Sequence, residues 1–466
     1  MTQLELAQVV MHVGGEEAAS EGARTLSRRL MLRRGIFGLL GLSLAPRLGW
    51  GHLLYAQPNS QAKATAVIQI WLWGGPSQLD TFDPKPKAGY DYCGQFTQPS
   101  RTNVDGILIN EQLSELAKIA DKYSLIRSMT HGINSHETAA YLVQTGRMPG
   151  DRIVYPHLGA VITYFATQHE NPVSPSLIPP YVVLTEPQGR FSEAGFLGPR
   201  YKPFATGGDP ARQPFAVEGI ITPGTTEAQQ RRRREMLQEL DTLRKAMQGT
   251  PPIEELVQAE EQAYDLILGD SGKAFDPAQE SQEVRDRYGR STFGQSCLVA
   301  RRLVERGVRF ITINYKGWDT HKEHFVIMRR KLPELDRGLA ALISDLAERG
   351  LLESTIVWCS GEFGRTPKIA WESPWNGGRH HWGHCFSALV AGGGFKGGQV
   401  VGASDEKGEY VKDRPVYPTD LIGSIYQLLG IDPTTTLRHP QGHLVKLIPD
   451  SNDGAPSGGL LKEIIA

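Results

Sequence analysis

The run Val67-Ile68-Gln69-Ile70-Trp71-Leu72-Trp73 is almost continuously apolar and is broken at once by Gly74-Gly75-Pro76. A strand of that composition belongs in the middle of a sheet, with both faces covered. Comparable runs recur at residues 124–129, 308–314, 355–359 and 386–391, with helical patterns between several of them. In the longest of those patterns Leu332, Leu335, Leu339, Leu342 and Leu346 fall on one face of a helix. The alternation predicts an α/β fold: a doubly wound, mainly parallel sheet with helices on both faces. Sheets of this type collect ligands in the loops beyond the carboxyl ends of their strands.

Those loops carry the candidate chemistry. Asp80 follows the first run, Asp319 and His321 follow residues 308–314, and Glu362 follows residues 355–359. His380, His381 and His384 come just before the last run. Carboxylates mixed with imidazoles suit one or two divalent metal ions, with Zn, Mn, Fe and Ca all open. Two residues apart in an extended segment, Asp319 and His321 point to the same side and can share one ion, or they simply brace the loop. His324 is a further candidate there. Arg365 offers a planar donor to an oxyanion, unless it only pairs with Glu362. Three histidines within residues 380–384 exceed what packing needs, and His381 is the first choice as ligand.

Residues 131–149 form the expected reaction segment. Its polar start includes Asn134, Ser135 and His136, and Ala-Ala-Tyr-Leu-Val then leads to Thr145-Gly146-Arg147. A helix beginning there presents backbone N–H groups to an anion, with Asn134 and Ser135 placed to touch a substrate. A plain capped helix is the alternative.

Composition narrows the class. A net charge of −1 over 466 residues leaves no electrostatic footprint for nucleic acid. The basic run Arg231–Arg234 reads as one solvated helix face. Four cysteines without CxxC spacing argue against a structural zinc knuckle and read as buried free thiols. Near the N-terminus, Ser27-Arg28-Arg29-Leu30-Met31-Leu32 matches the twin-arginine export pattern. The apolar stretch 35–45 behind it is too short and Gly-rich for a stable membrane span. Residues 1–62 therefore read as signal and linker. Residues 63–466 read as one domain, with a Pro/Gly-rich insertion or cap around 150–290. The expected partners are the twin-arginine machinery and an anionic ester, and the expected location is the periplasm or cell envelope.

Together these motifs resemble the alkaline phosphatase and sulfatase superfamily and, within it, the exported domain-of-unknown-function 1501 family. The resemblance is carried by Trp73-Gly74-Gly75-Pro76-Ser77-Gln78-Leu79-Asp80, by residues 136–146, by Trp318-Asp319-Thr320-His321 and by Glu362-Phe363-Gly364-Arg365-Thr366-Pro367. It implies a metal site and hydrolysis of phosphate or sulfate esters. Asp80, Asp319, His321, Glu362 and His381 or His384 would be ligands, and Arg147 or Arg365 would hold the substrate oxyanion.

The departures from the pattern matter as much. His136 stands where sulfatases carry their nucleophile, and no cysteine lies in that segment, which excludes formylglycine chemistry. Phe363 replaces a ligand histidine. His136 is then a metal ligand beside an activated water, a nucleophile in its own right, or part of a site that binds without turnover. The expectation is an exported metal-dependent ester hydrolase. The rival is a non-catalytic metal- or anion-binding protein of the same fold.

Overall fold

The computed structural model describes residues 62–150, 153–169, 178–186, 193–212 and 271–466, with isolated positions between 213 and 270. The twin-arginine segment lies outside the described residues. Of the helix face expected at Arg231–Arg234, only Arg232 is among the described residues.

Eight strands build the main sheet: β1 (Ala66–Trp71), β2 (Tyr123–Met129), β3 (Tyr181–Leu184), β4 (Phe204–Ala205), β5 (Phe310–Asn314), β6 (Thr355–Ser360), β7 (Phe386–Ala391) and β8 (Val400–Val401). Their spatial order is β8-β2-β7-β6-β1-β5-β3-β4. Every pairing is parallel except those of β7, which runs antiparallel to both β2 and β6. The sheet is thus mainly parallel, as the apolar runs required.

Successive residues of β1 serve opposite faces. Ile68 and Ile70 join one hydrophobic cluster, and Val67 and Trp71 join the other. The first cluster is closed by α3 (Thr292–Glu305) and α4 (His324–Glu348). The second is closed by α1 (His136–Thr145), α2 (Leu158–His169) and α5 (Pro418–Leu428). All five leucines of the predicted stripe on α4 are fully buried. Truncating any one to alanine would cost roughly 2–5 kcal/mol, because the cavity adds to the lost transfer energy.

The stretch read as an insertion or cap differs in its described part. Residues 158–205 supply α2, β3 and β4, so they extend the main sheet and one of its faces. The four-residue run Tyr181–Leu184 was hidden between proline-rich flanks. All four cysteines are free and buried. No helix among the described residues is long and apolar enough to cross a membrane.

Strand direction positions the site. β1, β5 and β6 deliver the loops that follow them to one edge of the sheet. Because β7 is reversed, the histidines that precede it reach that same edge.

Candidate metal centre

Gly74 opens the loop after β1 in a left-handed conformation (φ 116°), and a Cβ there would overlap the backbone of Asp319. Gly378 is pressed as closely against the carbonyl of His321. Between these two glycines the segment Asp319-Thr320-His321 is held by backbone on both sides, and the side chains of Asp319 and His321 turn toward α1 and the loop before β7.

Four side chains meet there. His136, Asp319 and His381 each bring a ligand atom within 4.8 Å of the others. His321 adds Nε2 at 3.0 Å from Asp319 Oδ1 and 2.8 Å from His381 Nε2. His381 Nε2 is itself 3.2 Å from Asp319 Oδ1. The outer nitrogens are already committed. His381 Nδ1 donates to the Asn134 carbonyl at 2.8 Å, and His136 Nδ1 donates to Glu362 Oε1 at 2.5 Å. Both imidazoles therefore turn Nε2 inward in the tautomer that leaves a lone pair for a cation. His136 Nε2 is shielded from solvent, lies 3.4 Å from Asp319 Oδ2 and makes no well-formed hydrogen bond. A floor of apolar carbon supports the pair, since the Phe363 ring sits 4.9 Å from His136 and 4.7 Å from His381.

The electrostatics agree with a cation site. Burial opposes a charge on His136, but Asp319 and Glu362 outweigh it and raise its pKa to about 9. Without a cation His136 is therefore protonated at neutral pH, with Nε2 toward Asp319, and a divalent ion would have to displace that proton. Asp319 stays ionised far below the usual carboxylate range: burial works against it, and His136, His381 and Arg365 overcome that. His321 is pushed down to about 4, first by burial and then by Arg365 and the neighbouring imidazoles, so it stays neutral and able to ligate.

The remaining expected site residues fall elsewhere, each for a physical reason. Glu362 is fully buried behind His136, where it also accepts the Gly74 N–H at 3.0 Å, so it orients the His136 ring from its outer nitrogen. Arg365 is equally buried. It donates to the carbonyls of Gly74, Gly75 and Arg379 and to Asp319 Oδ1 at 2.5 Å, which leaves it no face for a substrate oxyanion. It forms no pair with Glu362 among the described residues.

Asp80 lies in a second, closed cluster, its carboxylate 2.7 Å from Arg379 Nε and 2.9 Å from His324 Nε2. His324 in turn contacts the Thr320 hydroxyl at 2.6 Å through Nδ1. His384 packs against Trp382 and Tyr410 and is not among the converging ligands. Asn134 braces the histidine loop, its Oδ1 accepting Gly383 N–H at 2.7 Å. Ser135 is exposed at the N-cap of α1 without a side-chain cap bond. Arg147 sits at the far end of that ten-residue helix, about 15 Å from His136 at 1.5 Å per residue.

The residue that sequence reasoning missed is Arg379. It directly precedes the histidine cluster, but nothing in the local pattern ties it to Asp80.

No curated protein matches the sequence. Distant likenesses among solved structures include the lipoteichoic acid synthase LtaP from Listeria monocytogenes, with 9% identity over 80% of this chain and 73% of that chain and a TM-score of 0.37. The PsFucS1 sulfatase from Pseudoalteromonas sp. gives 13% identity, 80% and 68% coverage and a TM-score of 0.35. The phosphonate monoester hydrolase SpPMH from Silicibacter pomeroyi gives 11%, 79% and 73%, and 0.32. Such scores are too low to carry an argument about chemistry, which rests on this chain's own residues. The family described as protein of unknown function (DUF1501) matches residues 64–453, nearly the whole described fold, and the chain belongs to that family.

Proposed function

We propose that this protein is a metal-dependent hydrolase of phosphate or sulfate esters, working at the group formed by His136, Asp319, His321 and His381. One observation carries the reading. Separate elements of the fold converge inward-facing imidazole nitrogens on a carboxylate, while Glu362 and the Asn134 carbonyl hold the outer nitrogens of His136 and His381. Nitrogen-rich sites with one carboxylate suit Zn²⁺, Mn²⁺ or Fe²⁺ better than Ca²⁺, which prefers oxygen. A bound cation would polarise an ester oxygen and lower the pKa of water.

The chain's residues supply the rest. Glu362 fixes the His136 tautomer, and Arg365 neutralises and aims Asp319. Phe363 keeps water from beneath the two imidazoles. Asp319 remains nearly half exposed at its side chain, so the group is open to a ligand from solvent.

A rival reading, capture of a metal or anion without turnover, is favoured by Arg365. The guanidinium expected on the substrate is spent on the protein's own carbonyls and on Asp319. Elemental analysis of the purified chain beside Asp319→Ala/His321→Ala tests the site. Hydrolysis of aryl phosphate and aryl sulfate then separates the readings. Near-stoichiometric metal with turnover supports the hydrolase, metal without turnover supports the rival, and no metal after reconstitution refutes the hydrolase and leaves anion capture as the reading.

We also propose export by the twin-arginine route, on the motif at residues 27–32. Arg28→Lys/Arg29→Lys should hold the protein in the cytoplasm, and unchanged fractionation would count against it.

A further inference from the structure

A cavity of about 470 Å³ lies along the flank of α1, walled on its other side by the start of α5 and residues 449–456. It is within the size range of small-molecule sites. Its lining is largely apolar, from Ile133, Leu142, Tyr155, Tyr417 and Pro456, with Arg147 as its one guanidinium.

Gly146 ends α1 in a left-handed turn (φ 70°), and that turn delivers Arg147 to the cavity wall. The guanidinium lies over the Tyr155 ring at 4.9 Å. Its one side-chain hydrogen bond among the described residues runs from an Nη to the Lys446 carbonyl at 2.5 Å. Nε is shielded from solvent and has no acceptor.

The carboxylate and the imidazole on the wall are accounted for. Asp453 is 3.1 Å from Lys446 Nζ and accepts the Asp450 N–H at 3.0 Å. His131 is neutral by its bonding: Nδ1 accepts the Ile133 N–H at 3.0 Å and Nε2 donates to the Glu362 carbonyl at 2.7 Å. The cavity is therefore largely apolar with one cation that no carboxylate neutralises.

We propose that this cavity is a second ligand site, taking a flat apolar body that carries one anionic group. Arg147 holds the anion, and Tyr155 and Tyr417 flank the body. The guanidinium packs over the Tyr155 ring, and its second Nη, which makes no hydrogen bond among the described residues and is not shielded from solvent, is the donor left for a carboxylate, sulfate or sulfonate. The length of α1 separates this anion from the metal group, so the two sites fill independently.

Calorimetric titration of the full chain with 2-naphthalenesulfonate tests the site, with neutral 2-naphthol as the comparator. One saturable site is expected, with 2-naphthol binding at least tenfold more weakly. Arg147→Met should lose the preference for the sulfonate while keeping part of the naphthol affinity. Ala455→Trp, which fills the cavity from its partly exposed rim, should abolish both. Binding should persist in chelator, which separates this site from the metal group whatever the fate of the hydrolase reading. Equal affinity for both compounds, full sulfonate affinity in either variant, or binding that requires a divalent cation would overturn the proposal.

Discussion

Two polar clusters sit side by side at the same sheet edge, joined through the tripeptide Asp319-Thr320-His321, and they use nearly the same residue types. In one, Asp80 faces Arg379 and His324, all of them essentially excluded from solvent. In the other, Asp319 faces His136, His321, His381 and Arg365 and stays partly open. The closed cluster is balanced in charge: Asp80 has Arg379 and His324 beside it, and the Thr320 hydroxyl completes the chain. In the open cluster three Nε2 atoms crowd one carboxylate, and that of His136 makes no well-formed hydrogen bond. A carboxylate beside a histidine is therefore not yet a metal ligand. The count of unmet lone pairs separates a brace from a binding site.

The comparison can be broken most directly at its centre. Asp319→Asn keeps the shape but removes the charge on which the open cluster converges. Metal affinity measured by competition with a chelator should fall about a thousandfold, roughly 4 kcal/mol, and retained stoichiometric metal would remove Asp319 from the site.

In the closed cluster the same change should act on stability. Asp80→Asn strands the buried Arg379 guanidinium, at a cost of about 3 kcal/mol, read from the denaturant midpoint, while the remaining folded protein still loads metal. Lost metal with unchanged stability would make Asp80 a ligand and collapse the distinction.

Acid sharpens it further. Burial raises the Asp80 pKa, but Arg379 and His324 outweigh that and bring it down to about 2. A depressed carboxylate pKa contributes stability that is complete above the unfolded value near 4 and lost as pH falls through the folded value. The stability gap between the parent and Asp80→Asn should thus shrink by about 2 kcal/mol between pH 5 and pH 2. A gap constant with pH would mean the carboxylate is not held ionised.

The smallest effect belongs to Glu362→Gln. It leaves a hydrogen-bond acceptor for His136 but removes the charge behind it, and metal affinity should fall about tenfold with little change in unfolding. A loss as large as that of Asp319→Asn would place Glu362 in direct contact with the cation.

The sheet was largely legible because its central strands are buried on both faces. The runs at 67–73, 308–314 and 355–359 had no other comfortable place. Tyr181–Leu184 was not legible, since four apolar residues among prolines look like any loop, and only pairing with β5 makes them a strand.

The candidate site divides along a similar line. Asp319 and His381 could be named from position after or before strands, and His136 through the resemblance of its segment to that of the sulfatases. The separate roles of Asp80 and Glu362 could not, because each is decided by a distant partner. Arg379 lies 299 residues from Asp80, and Glu362 lies 226 residues from His136. Arg365 misled for the opposite reason. A planar donor near a metal site suggests a substrate clamp, but the glycines of the loop after β1 bring bare carbonyls close enough to consume it.

The long sequence separations between the converging side chains also set an order of events in time. Asn134 and His381, which share a hydrogen bond in the finished site, are 247 residues apart, and His321 and His381 are 60 apart on different strand loops. None of these pairs can form from a local hairpin or a single helical turn, and distant contacts are among the last to be rewarded as a chain folds. The cation site comes into being only when β1, β5, β6 and the reversed β7 are all in register. On the metal reading proposed above, an ion would be a late arrival that reports a finished sheet, and its capture by newly made chains would serve as a clock for the completion of folding.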